Sequence, residues 1–308
     1  MKVAICIITY KRPEGLVRLL NGLNCLCFER VACPEVNVHL VDNDLDGSAQ
    51  SVYKTFEKDF QFSLTYDVEP QRGISYARNR SVAAIEEDTD FVVFIDDDEV
   101  PERSWLEELL VVQSQHDADV VHGRVVPHFQ EDVPLWIKKG NFFEPYRYET
   151  GQSLETAYTN NSLIKASLIT SEGNVFDERF ALTGGEDSYF FRTLHHHGHS
   201  LIWADKAVVY DWVPPSRMNM KWILMRAYRS CLTYTIWEKE IKASILTKII
   251  VFCKAIAQIV LGLFMLLPSL FLRRHMIAKA LLHLCKGAGR LSGLVGFRYK
   301  EYQTIHGS

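Results

Sequence analysis

An apolar run that ends in consecutive acidic residues constrains this sequence more than any other feature. Residues 91–101 read FVVFIDDDEVP, and the apolar half is typical of a strand buried on both faces of a parallel sheet. Asp96, Asp97 and Asp98 follow where that strand ends. In open α/β sheets, ligands bind at the carboxyl ends of the strands. Because three adjacent carboxylates repel one another, the run predicts a site for a cation or a positively charged partner.

The same acidic run has a simpler interpretation. Asp98 or Glu99 can cap a helix that begins near residue 102, and the three aspartates then form a solvated acidic turn. Taken alone, the run favours neither interpretation, so the rest of the chain has to distinguish between them.

Apolar strand patterns alternate with helical patterns over the first part of the chain. This alternation is typical of β-α-β units, so we expect an α/β fold with a mostly parallel, twisted sheet flanked by helices. One helix is predicted directly after Pro13, where leucines recur at helical spacing. The predicted strands are residues 3–8, 36–41, 62–68, 91–95 and 120–126.

The loops that follow these strands are predicted to share one cleft. Right-handed crossovers place every strand-to-helix loop on the same side of a parallel sheet, so the loops that begin at Thr9, Asp42, Gly73 and Asp96 converge. The sequence has no glycine-rich pyrophosphate loop and no G-x-x-x-x-G-K-[ST] motif. A nucleotide in this cleft would therefore be held by carboxylates and a metal ion.

The middle of the chain adds a second acidic pair. Residues 127–160 show little periodicity and predict a long loop, and short strands are predicted at 200–204 and 207–210. Glu186 and Asp187 follow two glycines at the start of a predicted helix, where acidic residues are also favourable for the helix itself. The histidines at 195–197 point about 100° apart on a helix, so they predict a helix end rather than a metal site.

The character of the sequence changes after residue 217. Residues 218–240 predict a helix rich in Trp, Tyr and Arg, which favour a bilayer interface. Residues 255–272 are uncharged and reach the lower limit for spanning a bilayer, and residues 276–297 predict an amphipathic apolar helix. The alternatives are helices that span the membrane, a hairpin that lies in its interface, and a soluble helical subdomain or dimer interface.

The net charge bears on whether the protein binds nucleic acid, and the cysteines indicate the redox state of its compartment. The formal net charge of -4 over 308 residues gives no basis for a nucleic-acid partner. The seven cysteines are odd in number and scattered, which favours a reducing compartment over a disulfide framework. The first predicted strand begins at Val3 without a signal-peptide pattern before it.

Six motifs in order carry a resemblance to a known family. The chain resembles an inverting family 2 glycosyltransferase with the GT-A fold over roughly residues 2–230. The resemblance implies a catalytic domain at 1–217, and the composition of the chain beyond it predicts a helical, membrane-associating region at 218–308. The motifs are ITYKRP, VDND, QRGISYARN, FIDDDEVP, GGEDSYFFRTL and VVYDWVPPSRM.

The resemblance also implies roles for individual residues. Asp187 would be the catalytic base, with Glu186 beside it, and Arg217 would contact a diphosphate. Mn2+ or Mg2+ would be bound by Asp98 and Asp96. Asp211 stands where many relatives have a histidine, and it would either bind the ion as well or leave it with one ligand fewer. The residues implied in nucleotide binding are Thr9, Tyr10, Arg12, Asp42, Asp44, Gly73, Arg78, Asn79, Asp96 and Asp97.

The implied function is metal-dependent, inverting transfer of a sugar from a nucleotide diphosphate sugar to a glycan or lipid-linked acceptor. A role in surface polysaccharide biosynthesis would place the chain on the cytoplasmic face of the plasma (inner) membrane, bound to lipid peripherally or integrally through residues 244–297. Two alternatives stay open at this point. They are a nucleotidyltransferase that uses the same metal chemistry, and a non-catalytic, membrane-tethered module that binds a nucleotide sugar.

Overall fold

The first half of the sheet is parallel, as the β-α-β pattern predicts. The computed structural model describes residues 1–144, 147–169, 175–269 and 273–297. Its first four strands lie in the order β3-β2-β1-β4, and every neighbouring pair among them is parallel. The strands are β1 (Lys2–Thr9), β2 (Glu35–Asp42), β3 (Ser63–Val68) and β4 (Phe91–Phe94), and the helices between them are α1 (Pro13–Leu23), α2 (Gln50–Phe56) and α3 (Ile74–Ala83).

Burial explains why these segments form where they do. The central strand β1 is apolar on both faces, and Val3, Ile5 and Ile7 have no exposed surface. Helix α1 begins at Pro13 and buries its predicted leucine stripe against the sheet. The carboxyl ends of β1 and β4 therefore lie side by side at the edge where the acidic residues follow.

The second half of the sheet is mixed, which corrects the prediction of a continued parallel series. Strand β7 lies between β4 and β6 and is antiparallel to both, whereas β6 and β8 are parallel. A short apolar segment does not reveal its partner, because strand pairing depends on residues far away in the chain. The elements are β5 (Glu99–Pro101), α4 (Trp105–His116), β6 (Val120–Phe129), α5 (Leu135–Gly140), β7 (Ser162–Lys165) and β8 (Leu201–Val213).

The acidic run does not cap a helix, so that interpretation is wrong. Residues after the aspartates form β5, which pairs antiparallel with β8 and sets Glu99 opposite Asp211. Helix α4 begins only at Trp105, after Ser104. The backbone N–H of Trp212 also donates to the carbonyl of Asp98 at 2.8 Å. This pairing brings Asp98 and Asp211, which are 113 positions apart in the sequence, to the same edge of the sheet.

Two further sequence expectations need correction. Residues 127–160 are not one long loop, because β6 continues to Phe129 and α5 packs Ile137 into an apolar cluster. The strands predicted at 200–204 and 207–210 are one strand, β8, with a register shift opposite Gly123. At this shift the side chain of Asn161 donates to the carbonyls of Arg124 and Ala207, at 3.1 and 2.9 Å.

The C-terminal part of the chain is helical. Helix α9 packs against both α7 and α8, and glycines allow the close approach: Gly287 lies against Ala255 of α8, and Gly289 lies against Tyr228 of α7. The helices are α6 (Glu186–His196), α7 (Met220–Ile241), α8 (Ile245–Ser269) and α9 (Arg274–Leu294).

Helix α8 leaves most of its apolar surface uncovered. Among the described residues, it is the one helix long and apolar enough to cross a membrane, over Ile245–Leu266, with a mean hydropathy of 2.4. Val251 and Ala255 are buried, but only 17% of the apolar window is buried within the protein. The statement that α8 could cross a membrane rests on the length and composition of the helix alone.

Candidate active site

A cleft of about 480 Å³ opens at the carboxyl ends of β1 and β4. The sheet and the N-terminal end of α6 form one side, and α7 forms the other. Its volume is in the range of small-molecule sites. The predicted site residues that line it are Thr9, Tyr10, Arg12, Gly73, Arg78, Asp96, Asp97, Asp98, Glu186, Asp187, Asp211 and Arg217.

Asp97 is the buried member of the acidic triplet. Its carboxylate accepts hydrogen bonds from the hydroxyl of Thr9 at 2.7 Å and from the guanidinium of Arg12 at 2.9 Å. Burial raises the pKa of Asp97, and the charge of Arg12 opposes that shift. Since both of its oxygens are engaged by the β1 end of the cleft, Asp97 fixes the loop after β1 to the loop after β4.

Asp98 lies between two guanidinium groups. Its Oδ2 accepts from Arg217 at 2.8 Å and from Arg12 at 3.2 Å. Burial alone would raise the pKa of Asp98, but the charges of Arg217 and Arg12 bring it below its usual range. Asp98 is therefore held in the ionised form, which is the form that binds a metal ion.

The side chain of Asp96 is 35% exposed. It nevertheless lies deep in a concave cleft, where the surrounding protein displaces most of the water. This desolvation raises the pKa of Asp96 to about 6. Arg78, at 3.2 Å, opposes the shift, and the charges of Asp98 and Asp97 add to it. A carboxylate perturbed in this way is typical of a functional site that accepts further positive charge.

Asp211 faces the triplet from β8. Burial raises its pKa to about 6, and the charge of Asp98 adds to the shift. Its Oδ1 is buried and has no hydrogen-bond partner among the described residues, and the nearest cationic atom is Arg217 Nη1 at 3.6 Å. Glu99, opposite it in the sheet, is 2% exposed and accepts from the backbone N–H of Asp96 at 3.0 Å. Sequence reasoning considered Glu99 only as a helix cap and missed this position.

The donor set fits a hard divalent cation that brings part of its own coordination. The carboxylates of Asp96, Asp98 and Asp211 offer oxygen ligands alone, which Mg2+ and Mn2+ prefer. In the described part of the chain, no three His, Cys, Asp or Glu side chains form a ready-made cluster for an ion. Mg2+ is commonly held by one or two carboxylates plus phosphate oxygens of the substrate, so such a cluster is not required.

Arg78 connects the acidic triplet to the second acidic pair. Its Nη2 donates to Asp96 at 3.2 Å, and its Nη1 contacts the carboxylate of Glu186. Both Arg78 and Glu186 are buried, at 3% and 1% exposure, so this ion pair is almost fully removed from water. Glu186 therefore holds the start of α6 in place from within the protein.

Asp187 is the member of the pair that faces the cleft. It lies in the first turn of α6, where its Oδ1 accepts from the backbone N–H and the hydroxyl of Ser188. Gly184 and Gly185 before it have φ values of 69° and 93°, a left-handed conformation that favours glycine. A Cβ on Gly185 would lie 2.4 Å from Thr233 of α7, so glycine also allows α6 to begin against α7.

Three predicted nucleotide-binding residues do not line the cleft. Asp42 is fully buried, and its carboxylate accepts from the backbone N–H groups of Asp44 and Ala49. Asp44 pairs with Lys11 at 3.6 Å. Asn79 donates to and accepts from the backbone of Phe176, both at 2.8 Å. These contacts hold the loops around the cleft, and nucleotide contacts from these three residues stay a prediction.

Two groups of lining residues were missed in the sequence. Asn43, between the two predicted aspartates, lines the cleft and accepts from the backbone N–H of Gly73 at 2.7 Å. Helix α7 contributes a whole wall, although its composition predicted a membrane interface. The lining residues of α7 are Trp222, Arg226, Arg229, Ser230, Thr233, Tyr234 and Trp237. The boundary predicted after residue 217 therefore divides two parts that share the cleft.

Solved structures of other proteins identify the type of fold. The mannosyltransferase PcManGT from Pyrobaculum calidifontis, in complex with GDP-Man and Mn2+, matches with a TM-score of 0.65 and 15% identity over 95% of this chain and 86% of that one. S. aureus TarS 1-349 in complex with UDP matches with a TM-score of 0.55 and 16% identity over 97% and 93%. This chain spans 53% of the longer TarS chain. The fold is of the GT-A type.

The family follows from the sequence itself. Residues 4–169 match the family model of glycosyl transferase family 2, and the chain belongs to that family. It is also similar to the succinoglycan biosynthesis protein ExoM of Rhizobium meliloti (strain 1021), with 29% identity over 310 residues, 98% of this chain and 95% of that protein. Family membership makes this chain a glycosyltransferase and gives no support to the nucleotidyltransferase alternative.

Replacing Arg78 with Met tests the buried connection between the two acidic groups. We expect Arg78→Met to lower the free energy of unfolding by about 3–5 kcal/mol, because Glu186 would be left as a buried charge without a partner. Urea denaturation measures this change. Arg80→Met on the same helix is the matched control, since its pair with Asp67 is exposed and should cost at most about 1 kcal/mol.

A second substitution identifies the cause of the loss. In Arg78→Met combined with Glu186→Gln, the uncompensated charge is gone, so part of the lost stability should return and the two effects should be non-additive. If Arg78→Met costs no more than the control, the ion pair does not organise the cleft.

Proposed function

We propose that this chain transfers a sugar from a nucleotide diphosphate sugar to a glycan or lipid-linked acceptor, in a metal-dependent reaction that inverts the anomeric carbon. The observation that carries the proposal is the presence of two distinct acidic groups in one cleft, joined through Arg78. One group is the cluster of Asp96, Asp98 and Asp211. The other is the pair Glu186 and Asp187, in which Glu186 contacts Arg78 and Asp187 faces the same space from α6.

The β1 side of the cleft is suited to the nucleotide diphosphate part of the donor. The Tyr10 ring lies in a cationic environment, with Arg72 at 4.9 Å from its centroid, and offers an aromatic face. Gly73, with φ of 152°, allows the backbone to approach closely at the start of α3. Arg12 and Arg217 supply guanidinium groups that match the geometry of phosphate oxygens.

The metal would be held chiefly by the carboxylates on the other side of the same space. Asp98 is the strongest candidate ligand because it is held ionised, and a carboxylate of Asp96 or Asp211, together with phosphate oxygens of the donor, would supply further oxygen ligands. When bound, Mn2+ or Mg2+ neutralises the charge that develops on the leaving diphosphate. Support for a divalent ion also comes from the fold relative that was solved with GDP-Man and Mn2+.

Asp187 is suited to the role of general base. Its carboxylate can accept the proton of the acceptor hydroxyl as that oxygen attacks the anomeric carbon. Attack from the face opposite the leaving diphosphate in a single displacement inverts the configuration at that carbon. Glu186 does not compete for this role, because it is 1% exposed and bound to Arg78.

The biosynthetic setting follows from the named relative and from α8. The similarity to a succinoglycan biosynthesis protein supports a role in polysaccharide biosynthesis. The uncovered apolar surface of α8 supports membrane association, with the cleft on the cytoplasmic face, where nucleotide sugars are made. A non-catalytic binding module needs no base in the cleft, so Asp187 favours the enzyme.

Asp187→Asn tests the catalytic base. We expect transfer of labelled sugar to membrane acceptors to fall by about 10²–10⁴-fold, because the amide cannot accept the proton. Thermal stabilisation by a nucleotide diphosphate with Mn2+ should be unchanged, since donor binding does not need the base. Asp59→Asn, at an exposed position outside the cleft, is the control and should leave transfer unchanged. Unchanged transfer in Asp187→Asn would remove the base role.

Asp98→Asn tests the metal site by a readout other than activity. UDP and GDP are screened by thermal shift, and one of them should raise the melting temperature only when Mn2+ or Mg2+ is present. EDTA should remove the shift. We expect Asp98→Asn to weaken Mn2+-dependent binding at least about tenfold, since even changes around metal ligands cost about 10–100-fold. Binding that is indifferent to both EDTA and Asp98→Asn would contradict metal dependence.

Flotation with lipid vesicles tests the membrane role of α8. We expect the full chain to float with vesicles that contain phosphatidylglycerol. Phe252→Asp combined with Phe264→Asp should leave most of the protein unbound, because both side chains lie on the exposed face of α8 and charges are costly in lipid. Leu45→Asp, on a residue that is 74% exposed elsewhere, should float like the unaltered chain. Failure of the unaltered chain to float would exclude membrane association.

A further inference from the structure

The two sides of the cleft differ in charge. All carboxylates among the described lining residues belong to the sheet side or to the start of α6. The opposite side, which we name the α7 wall, carries three guanidinium groups and three aromatic rings and no carboxylate among its described lining residues. The α7 wall consists of Trp222, Arg226, Arg229, Tyr234 and Trp237 of α7, together with Arg192 of α6, which lies against Tyr234 and Trp237.

The guanidinium of Arg192 has N–H groups that are available to bind a ligand in the cleft. Its guanidinium lies over the ring of Tyr234 at 4.5 Å and near Trp237 at 5.9 Å. In the parts of the chain that the structure describes, no hydrogen bond or ion pair forms between this guanidinium and a carboxylate or carbonyl oxygen. Because a guanidinium stacked on a ring keeps its in-plane N–H groups, Arg192 can bind an anion in a bidentate manner.

The aromatic pair beside Arg192 is fixed from several directions. The rings of Tyr234 and Trp237 lie 6.1 Å apart at an interplanar angle of 21°. The indole N–H of Trp237 donates to the hydroxyl of Thr193 on α6 at 3.3 Å. Arg290 of α9 lies 5.7 Å from the Tyr234 ring and donates to Gln258 of α8 at 3.3 Å. A platform held in this way is organised before a ligand arrives.

The position of Arg192 relative to Asp187 defines what it can recognise. The two residues lie on the same helix, five positions apart, which is about 7.5 Å along the helix axis and about 140° around it, and both line the cleft. The rotation adds to the axial offset, so the two side chains are separated by more than the width of one sugar ring. A group bound by Arg192 would therefore belong to the sugar that carries the attacking hydroxyl, or to the unit attached to it.

We propose that Arg192 and Tyr234 form the acceptor subsite, and that the acceptor carries an anionic group, a phosphate or a carboxylate, within about two sugar units of the attacking hydroxyl. The proposal rests on the proposed glycosyltransfer, because it takes Asp187 as the base. The Tyr234 ring holds the Arg192 guanidinium in place, and Arg192 pairs with the anion. The anion is either the diphosphate of a short lipid-linked acceptor or the carboxylate of an acidic sugar.

Binding of small anionic sugars to the full chain tests this subsite. The protein in detergent is saturated with Mn2+ and with UDP or GDP, whichever raises its melting temperature more, so that probes cannot occupy the donor site. Methyl β-glucoside, methyl β-glucuronide and glucose 1-phosphate are titrated by saturation-transfer NMR. We expect at least one anionic probe to bind about tenfold more tightly than the neutral one, as a charge-assisted hydrogen bond allows. Preference for the phosphate indicates a diphosphate acceptor, and preference for the uronide indicates an acidic sugar.

Substitutions at Arg192 assign the preference to this residue. Arg192→Gln should abolish the preference for anionic probes, and Arg192→Lys should retain part of it, because an ammonium keeps the charge but loses the bidentate geometry. If Arg192→Gln does not fold, Arg192→Lys replaces it in the test. In that case we expect the preference for anionic over neutral probes to fall at least about threefold. Arg103→Gln, on an exposed arginine outside the cleft, should bind all three probes like the unaltered chain.

The outcomes separate this proposal from the proposed function. Equal binding of charged and neutral probes, or a preference that survives Arg192→Gln, overturns the acceptor subsite. Nucleotide binding is measured in the same samples as the metal-dependent thermal shift. Intact nucleotide binding without anionic preference contradicts only the subsite, whereas absent nucleotide binding in the unaltered chain contradicts the glycosyltransfer proposal itself.

Discussion

The buried ion pairing of Arg78 is the interaction on which the rest of the cleft depends. It contacts Asp96 at the end of β4 and Glu186 at the start of α6, residues from distant parts of the chain. Such pairs contribute little net stability, because desolvation offsets most of the attraction, but breaking one is expensive. Their effect here is geometric: one side chain sets the separation between the carboxylate cluster and the carboxylate of Asp187.

The acidic cluster is stable only because positive charge is distributed through it. Arg12 and Arg217 both reach Asp98, and Arg78 reaches Asp96, so the carboxylates at the ends of β4 and β8 do not face one another unopposed. The short pairing of β5 with β8 is what adds Asp211 to this group. In the proposed reaction, these cationic side chains would lie beside the leaving diphosphate.

The local sequence pattern predicted the parallel half of the sheet and the convergence of its loops. Strands buried on both faces, such as β1 and β4, are continuous apolar runs, and such runs can be recognised without knowing which distant residues they contact. The inserted strand β7 and the three-residue β5 lacked such a signature. Position at a strand end did not predict side-chain direction, so Asp42 turns inward while Asn43 lines the cleft. The aromatic and arginine content of α7 suits either lipid headgroups or a ligand, and only packing shows that this helix borders the cleft.

The glycines of α9 have a practical consequence. Because Gly289 and Gly293 bring α9 into backbone contact with α7, and Gly287 does the same with α8, the uncovered apolar helix is joined through close-packed backbone to the helix that borders the cleft. Whatever holds α8, whether lipid or detergent, thereby fixes one side of the cleft. Removing the C-terminal helices to obtain a more soluble protein would take away the α7 side of the cleft together with the uncovered apolar helix.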